Sequence, residues 1–489
     1  MDPRKEVTRR AFLWASASTV AGALAGCTLA RPQIVKETVI VEKENVVKET
    51  VPVKETVIVE KGSIPVGRGA WAYDPNRPVN EGKASSVKLW SHWKPFSDWF
   101  LKWIPAYRTL HPNVTIEHTH IPSEHFKKLP LAISAGEGPD IYTFHNNHTV
   151  KFIESNLIEP YPDEWIPALR QDYDLIDTHL YKGKLYYFDH GLMTSAIWYN
   201  RKLWAEAGLK EGEYPTTWAA LTEVAKKLTK RDSTGKLTRV GFQPKGDDYS
   251  IWYAMRFQQG EWWLTADGKH AHCDTEAGRK AYEQLYAWYH KDRVASIDFP
   301  PLYEALGNGQ AAMIYSWGWL ASYLASQFPK LEWGVFRLPT WSGELAPVYD
   351  LNNGDATPCV NAKSSAQAKA IAFDFLRWLL SNEDATTELC LVTSQAPVMK
   401  RIKDRAELRA NPMIDITLQV IDRTLWVGSW TPELRQLLGK WINEALINGM
   451  PPSEALPALQ AGVDADIANA PAGYWTVERL YKYASEMHD

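Results

Sequence analysis

Tryptophan, histidine and amide side chains recur together at a few places along this 489-residue chain. An indole ring can stack on the C–H face of a sugar, while imidazole, amide and ammonium groups can hydrogen-bond its hydroxyl groups. These residue types therefore favour the binding of a hydroxylated small molecule, with no covalent bond made or broken. The groups are His92, Trp93 and Lys94; His145 and Asn146; His190; and Trp317 and Trp319.

Several other aromatic and polar residues are candidates for the same site. The chain has 23 Trp and 22 Tyr, more than a core ordinarily needs, which predicts that some rings line a surface or cleft. Trp319 and Trp93 are the strongest candidates, because both follow predicted strands. Any of the others can equally be a core residue or, for a polar one, a turn residue. The further candidates are Tyr249, Trp252, Asn353, Asp355 and Trp430.

No catalytic, metal or cofactor site is predicted. The motifs GxSxG, HExxH and GxxxxGK[ST] do not occur, and none of the four cysteines forms a CxxC pair. A secreted glycoside hydrolase stays an alternative, since 58 acidic residues allow many carboxylate pairs. The net charge of -4 gives no electrostatic reason to expect nucleic-acid binding.

A non-sugar solute is the second alternative. A phosphate ester such as a glycerol phosphate ester needs arginines and free backbone N–H groups, and a polyamine needs several carboxylates beside the aromatic rings. The candidate loops contain few arginines and few acids beyond Asp355. This composition favours a mono- or oligosaccharide over a phosphate ester, a polyamine or a peptide. A cell-surface adhesion role also remains open.

The first 27 residues have the pattern of a bacterial export signal. Arg9 and Arg10 precede an apolar run of about 15 residues, shorter than the roughly 20 needed to span a bilayer. The pair is typical of twin-arginine export. Leu24–Cys27 is similar to a lipobox, in which the Cys27 thiol accepts the lipid. The expected location is extracytoplasmic, with a lipid anchor holding the protein on the outer face of the cytoplasmic membrane.

Residues 28–85 are predicted to form a flexible linker. The sequence of residues 36–43 recurs unchanged at 54–61, and alternating valines and charges have no hydrophobic partner nearby. With Cys27 lipidated, at most one disulfide can form among Cys273, Cys359 and Cys390.

The elements that must position the candidate residues follow an α/β pattern. Val87–Trp90 and Val114–Ile121 are predicted strands, separated by a helix over Trp99–Leu110. A helix over His125–Ala135 and a strand at Asp140–Phe144 follow. This alternation predicts βαβ units and a mainly parallel sheet.

Motifs spread in order along residues 87–397 resemble the bacterial extracellular solute-binding proteins of family 1, the maltose-binding type. Ala135–Ile141 is similar to the family's AAGxxPDV turn, and Pro215–Trp218 to its P-x-T-W helix start. Thr216 or Thr217 can cap the helix that opens at Trp218. The other matching segments are Gly183–Tyr186, Ala196–Trp204, Gly309–Tyr315, Phe336–Pro339 and Ala366–Ser381.

The resemblance implies a two-lobed periplasmic-binding-protein-like α/β fold of type II, with a hinge between discontinuous lobes. Lobe 1 is expected at 86–194 plus 341–400 and lobe 2 at 195–340 plus 401–489. The ligand would bind between the lobes, near the carboxyl ends of strands. The resemblance also implies that the protein is a monomer that delivers its solute to the permease subunits of an ABC importer and is not an enzyme.

Overall fold

The computed structural model describes residues 67–145, 148–262, 264–265, 267–425, 431–470 and 487. In these ranges no helix is both long enough and apolar enough to cross a membrane. The strands are β1 Ser85–Ser91, β2 Val114–His120, β3 Ile141–His145, β4 Ile158–Glu159, β5 Leu180–Tyr181, β6 Lys184–Leu185, β7 Asp189–Met193, β8 Ser195–Asn200, β9 Lys230–Arg231, β10 Leu237–Gln243, β11 Ala311–Trp317, β12 Trp333–Arg337, β13 Asp350–Leu351, β14 Asn353–Asn361, β15 Ala396–Pro397 and β16 Thr424–Leu425.

Helices alternate with these strands over most of the chain. They are α1 Lys94–Leu110, α2 His125–Ser134, α3 Thr149–Glu154, α4 Ile166–Asp172, α5 Arg201–Glu206, α6 Trp218–Leu228, α7 Asp248–Phe257, α8 Glu276–His290, α9 Leu302–Gly307, α10 Leu320–Gln327, α11 Ala366–Ser381, α12 Glu383–Thr393, α13 Ala406–Arg409, α14 Pro412–Val420, α15 Pro432–Leu438, α16 Ala445–Ile447 and α17 Pro452–Asn469.

The first sheet is mixed. Its strand order is β15-β7-β14-β3-β1-β2, and β4 also pairs with β14. The β1–β2 and β1–β3 pairs are parallel, as predicted, but β14 runs antiparallel to β3, β7 and β4. The prediction of a mainly parallel sheet was therefore wrong. The reason is that β14 enters the sheet some two hundred residues after β3, a long-range pairing that local alternation of strands and helices does not report.

The second sheet has the strand order β12-β8-β11-β10-β9. Every residue of β8 and β11 is buried, so these central strands are covered on both faces. The β10–β11 pair is parallel, whereas β8 runs antiparallel to both β11 and β12. The carboxyl ends of β10 and β11 therefore lie at one edge of this sheet.

Local sequence signals account for several helix boundaries. The Thr217 hydroxyl accepts a hydrogen bond from the backbone N–H of Ala220 at 3.1 Å, which confirms the cap predicted for α6. Helix α1 starts at Lys94 rather than at Trp99, because Pro95 fits the first turn of a helix. At the end of α2, Gly136 adopts a φ of 76°, the left-handed conformation that favours glycine at a helix end.

Part of the predicted flexible linker is packed against the globular body. Trp71 is 1% exposed, and its backbone N–H donates to Asp172 Oδ2 at 2.7 Å. Its ring meets Trp165 edge-on, with ring centroids 5.4 Å apart. Residues 67–84 thus form an ordered strap, a correction to the linker predicted over 28–85. Burial of a large aromatic ring offsets the entropy lost when the strap is ordered.

The chain passes from the first sheet to the second between β7 and β8. It returns between β12 and β14 through β13, which pairs with β16 in a separate two-stranded sheet. The two crossings are joined by Asp350, whose Oδ2 accepts hydrogen bonds from the Ser195 backbone N–H at 2.9 Å and from its hydroxyl at 2.5 Å. Burial raises the pKa of Asp350 to about 7. The three cysteines of the described part, Cys273, Cys359 and Cys390, are buried free thiols.

Candidate functional site

His92 follows β1 directly and lies at the carboxyl-terminal edge of the first sheet. Its backbone N–H donates to the Thr143 hydroxyl of β3 at 3.0 Å, and its Nδ1 lies 2.7 Å from the same oxygen. Its ring centroid is 5.4 Å from that of His125 and 5.0 Å from that of Phe126. Burial and the neighbouring histidines lower the pKa of His92 to about 3.

Two more histidines extend this edge, and we call His92, His125, His145 and His148 together the histidine edge. Burial, followed by the charges of His148 and Arg435, lowers the pKa of His145 to about 4. The pKa of His125 is lowered to about 4, also chiefly by burial. These imidazoles are therefore neutral near pH 7, and a neutral imidazole offers one donor and one acceptor to a hydroxylated ligand.

The histidine edge has no metal-binding geometry. In the part of the chain that the structure describes, no group of three or more His, Cys, Asp or Glu side chains is arranged to hold a metal ion.

Trp93 and Lys94 lie beside His92 but differ from each other in surroundings. Trp93 is half-buried and meets the ring of Phe96 edge-on, with centroids 6.1 Å apart. Lys94 is exposed, and its ammonium pairs with Asp98 on the next turn of α1 at 2.7 Å. Trp93 therefore lies at the edge of the sheet, whereas the Lys94 ammonium is occupied by an ion pair on the surface of α1.

Trp317 and Trp319 lie where β11 ends, at the edge of the second sheet. Trp317 Nε1 donates to Asp247 Oδ2 at 3.3 Å, and the Ser250 hydroxyl donates to the other oxygen of Asp247 at 2.5 Å. Trp319 is half-buried, and its ring meets that of Tyr303 edge-on with centroids 5.0 Å apart. We call Asp247, Tyr303, Trp317 and Trp319 the tryptophan edge.

Asp247 is a buried acid on the tryptophan edge. Burial raises its pKa to about 6, and this rise is opposed by the hydrogen bonds from Ser250 and Trp317 and by the charge of Arg435. Asp247 and Tyr303 were missed by sequence analysis. The loop that holds Asp247 follows β10, so the rule that selected the loop after β11 would have found it had it been applied to this strand as well.

Arg435 on α15 connects the two edges electrostatically. Burial is the main cause that lowers the pKa of His145 and His148 on the histidine edge, and the positive charge of Arg435 adds to it. The same charge opposes the rise in the pKa of Asp247 on the tryptophan edge and of Tyr249 beside it. The same guanidinium group thus contributes to the electrostatics of groups on both edges. No local motif marks Arg435, and sequence analysis missed it.

Two predicted site residues, Trp252 and His190, are fully buried in this structure. Trp252 lies on α7, where its Nε1 donates to the Gly278 carbonyl at 2.9 Å. His190 lies on β7, every residue of which is buried, and its ring packs against Phe96 with centroids 5.4 Å apart. Trp252 lies among core side chains and His190 in a strand covered on both faces, so neither side chain reaches an accessible surface.

Of the remaining predicted site residues, two are half-buried and the others lie wholly or partly outside the described part of the chain. Tyr249 is half-buried beside the tryptophan edge, with its backbone N–H bonded to Asn443 at 3.1 Å. Asn353 is half-buried at the start of β14, opposite Met193. Asp355 pairs in register with His145, and its side chain is outside the described atoms. Asn146, Trp430 and Cys27 lie outside the described residues.

Comparison with known proteins gives a consistent family. The family model for bacterial extracellular solute-binding proteins matches residues 93–386. A maltotriose-binding protein from Pyrococcus abyssi (strain GE5 / Orsay) is 20% identical over 342 residues, covering 68% of this chain and 70% of the relative.

Two solved structures share the fold. The maltose/maltodextrin-binding domain MalE of Bdellovibrio bacteriovorus, bound to maltotriose, superimposes with a TM-score of 0.64 at 19% identity, over 79% of this chain and 100% of that one. UgpB of Mycobacterium tuberculosis, in complex with glycerophosphocholine, gives a TM-score of 0.67 at 17% identity, over 79% and 99% of the two chains. The predicted two-lobed solute-binding fold is confirmed. This chain belongs to the family of bacterial extracellular solute-binding proteins.

Proposed function

We propose that this protein captures a carbohydrate between its lobes and delivers it to the permease of an ABC importer. The observation that carries the proposal is that aromatic and hydrogen-bonding side chains lie at the strand ends of both sheets, in a chain of the solute-binding family. His92 follows β1 on one sheet, and Trp317 and Trp319 lie at the end of β11 on the other. A sugar between these edges would stack a C–H face on Trp319 and hydrogen-bond its hydroxyls to neutral imidazoles and to Asp247. The maltotriose ligands of the relatives described above support the choice of an oligosaccharide.

The proposed mechanism is closure of two rigid lobes without chemical change. Lobe 1 comprises 86–194 plus 341–400, and lobe 2 comprises 195–340 plus 401–489. The two large sheets share no strand, which supports this division. A ligand that touches both edges binds the closed form more tightly, and this difference shifts the population toward the form that a permease can recognise. The proposed protein is monomeric and leaves its ligand intact.

Attachment to the membrane is part of the same proposal. Twin-arginine export and acylation of Cys27 would place the protein on the outer face of the cytoplasmic membrane, as the sequence of residues 1–27 predicts. Detergent phase partitioning of the full chain expressed in a bacterial host tests this. The wild type is expected in the detergent phase and Cys27→Ala in the aqueous phase; equal partitioning would contradict the anchor.

Thermal unfolding with maltotriose tests the binding proposal. A ligand at roughly 100 times its Kd stabilises the native state by about 2.7 kcal/mol, which raises the melting temperature. Trp319→Ala should weaken binding by roughly 2 kcal/mol, or about 30-fold in Kd, because it removes the stacking surface. Maltotriose recovered after incubation should be unhydrolysed.

Trp333→Ala is the matched control for this experiment. Trp333 is also half-buried, but it pairs with Asn200 at the opposite end of β8 from the tryptophan edge. Its substitution should lower the melting temperature without changing the Kd. Stabilisation by glycerophosphocholine and by no oligosaccharide, or equal Kd values for Trp319→Ala and wild type, would refute the proposed carbohydrate site.

A further inference from the structure

A cavity of about 640 Å³ lies between the strap and helix α11, away from the two edges described above. Lys83, in its lining, is two residues before the start of β1, whereas His92 follows the other end of that strand. The seven residues of β1 span about 23 Å at the usual strand rise. The cavity has the volume of a small-molecule site, for which roughly 300–1,000 Å³ is typical.

Two arginines line this cavity without an ion pair. In the described ranges, neither Arg77 nor Arg377 lies within salt-bridge distance of a carboxylate. Arg377 Nη2 donates to the Ala72 carbonyl at 2.9 Å, while its Nε is buried and has no hydrogen-bond partner among the described atoms. Burial, and then the charge of Arg77, lowers the pKa of Arg377, so the two positive charges act on each other.

The other charged groups of the lining are mostly satisfied. Lys83 pairs with Glu81 at 2.5 Å. Asp374 Oδ2 accepts hydrogen bonds from the hydroxyls of Tyr73 at 2.8 Å and Tyr107 at 2.7 Å. Glu164 also lines the cavity. Among the cations of this lining, Arg377 therefore has a buried N–H group without a partner among the described atoms, and Arg77 has no ion pair, in a lining that also carries negative charge.

Aromatic rings provide an apolar wall. The guanidinium carbon of Arg377 lies 5.3 Å from the centroid of the Trp165 ring. Phe373 meets Trp165 edge-on, with centroids 5.8 Å apart, and both rings are half-buried. A flat apolar body can lie against these rings while an attached anion reaches the guanidinium groups.

We propose that this cavity is a second ligand site, which binds a small organic carboxylate between Arg77 and Arg377 with its apolar body against Trp165 and Phe373. A planar carboxylate matches the fork of a guanidinium and accepts two parallel hydrogen bonds. Asp374 and Glu164 in the same lining disfavour a doubly charged phosphate. The site is separate from the cleft and does not depend on the identity of the transported solute.

Calorimetric titration of the full chain tests this site with benzoate, with its neutral isostere benzamide and with inorganic phosphate as probes. Benzoate should bind with a stoichiometry of one, and benzamide at least about tenfold more weakly, because it carries no charge for the arginines. No heat with benzoate up to about 10 mM, or equal affinity for benzamide, would overturn the proposal. Tighter binding of phosphate than of benzoate would overturn the assignment to carboxylates.

Two arginine variants and one lysine control complete the experiment. Arg77→Gln and Arg377→Lys should each weaken benzoate binding by about tenfold or more; the second keeps the charge and loses the fork. Lys83→Gln, whose ammonium already pairs with Glu81, should change the affinity less than about twofold. Arg77 is exposed, so its variant keeps the wild-type melting temperature. Unchanged benzoate binding by a folded Arg77→Gln protein would refute the site.

Discussion

Single buried carboxylates make this protein sensitive to pH. Asp350 joins the two chain crossings through Ser195, and burial raises its pKa from 3.8 to about 7. Asp247 on the tryptophan edge and Asp248 beside it are both buried acids whose pKa is raised to about 6. Folding therefore favours the protonated form of these three carboxyl groups, whereas folding favours the ionised form of an acid that is ion-paired at the surface.

Replacement of Asp350 by asparagine should remove part of this pH dependence. Since the folded-state pKa lies above the unfolded one, the stability that Asp350 contributes is fully present below about pH 4 and is lost as pH rises through 7. The loss for this one group amounts to about 4 kcal/mol. Urea unfolding from pH 4.5 to 7.5 should show that Asp350→Asn gains stability relative to wild type as pH rises.

The control for this measurement is Asp404→Asn, because the Asp404 side chain is 95% exposed. This substitution leaves the core intact, so its free energy of unfolding should stay within about 0.5 kcal/mol of the wild-type value. A pH-independent difference for Asp350→Asn would contradict the raised pKa of Asp350.

At the scale of secondary-structure elements, close packing of β10 against α6 limits the size of the side chain at their contact. Strand β10 lies against α6 so closely that a Cβ on Gly241 would be 1.8 Å from the Ala225 carbonyl oxygen. Gly439, at the end of α15, has a φ of -57° and no atom within 4 Å of its Cβ position. The two glycines thus have different roles: Gly241 permits close packing of β10 against α6, whereas Gly439 only adds backbone freedom.

The same substitution at these two glycines should change stability in opposite directions. Gly241→Ala forces β10 and α6 apart, so the free energy of unfolding should fall by roughly 2 kcal/mol or more. Gly439→Ala should raise it by roughly 0.5–1 kcal/mol, because alanine loses less backbone entropy in a helix. Urea unfolding midpoints measure both, and a stable Gly241→Ala protein would show that the two elements can separate without cost.

At the scale of the whole molecule, the globular body includes the strap at residues 67–84. Trp71 and Tyr73 belong to the core that also contains Leu89, Phe188 and Leu376. The backbone N–H groups of Ala70 and Trp71 both donate to Asp172, at 3.1 and 2.7 Å. A chain that begins at Ser86 therefore lacks part of its core.

Removal of residues 1–85 should destabilise the protein markedly. Trp71→Ala alone is expected to cost roughly 3–5 kcal/mol, the usual penalty for truncating a buried tryptophan, and the shortened chain should lose at least as much. Asn76→Ala, an exposed substitution in the same strap, should leave the melting temperature unchanged. Calorimetric unfolding measures all three proteins; equal melting temperatures for wild type and the shortened chain would show that the strap adds nothing to the core.

Local signals in the sequence determined the elements and their order. Alternating apolar and polar residues predicted β2, and apolar residues at helical spacing predicted α1. A threonine before Trp218 predicted the start of α6. These features depend only on neighbours within a few residues. The ordered series of motifs also determined the family. The position after β1 and β11 together with the residue type selected Trp93 and Trp319 as candidates, since ligands in α/β folds bind near the carboxyl ends of strands.

Only the tertiary structure decided which distant parts of the chain meet. The backbone N–H of Trp71 donates to Asp172 across 101 residues, and β14 joins the first sheet antiparallel to β3. The same structure buried Trp252 and His190, whose residue types had suggested a ligand site. Periodicity fixes the local conformation of a segment, but burial depends on what packs against it from distant parts of the chain, and a single sequence does not encode those partners in any local pattern.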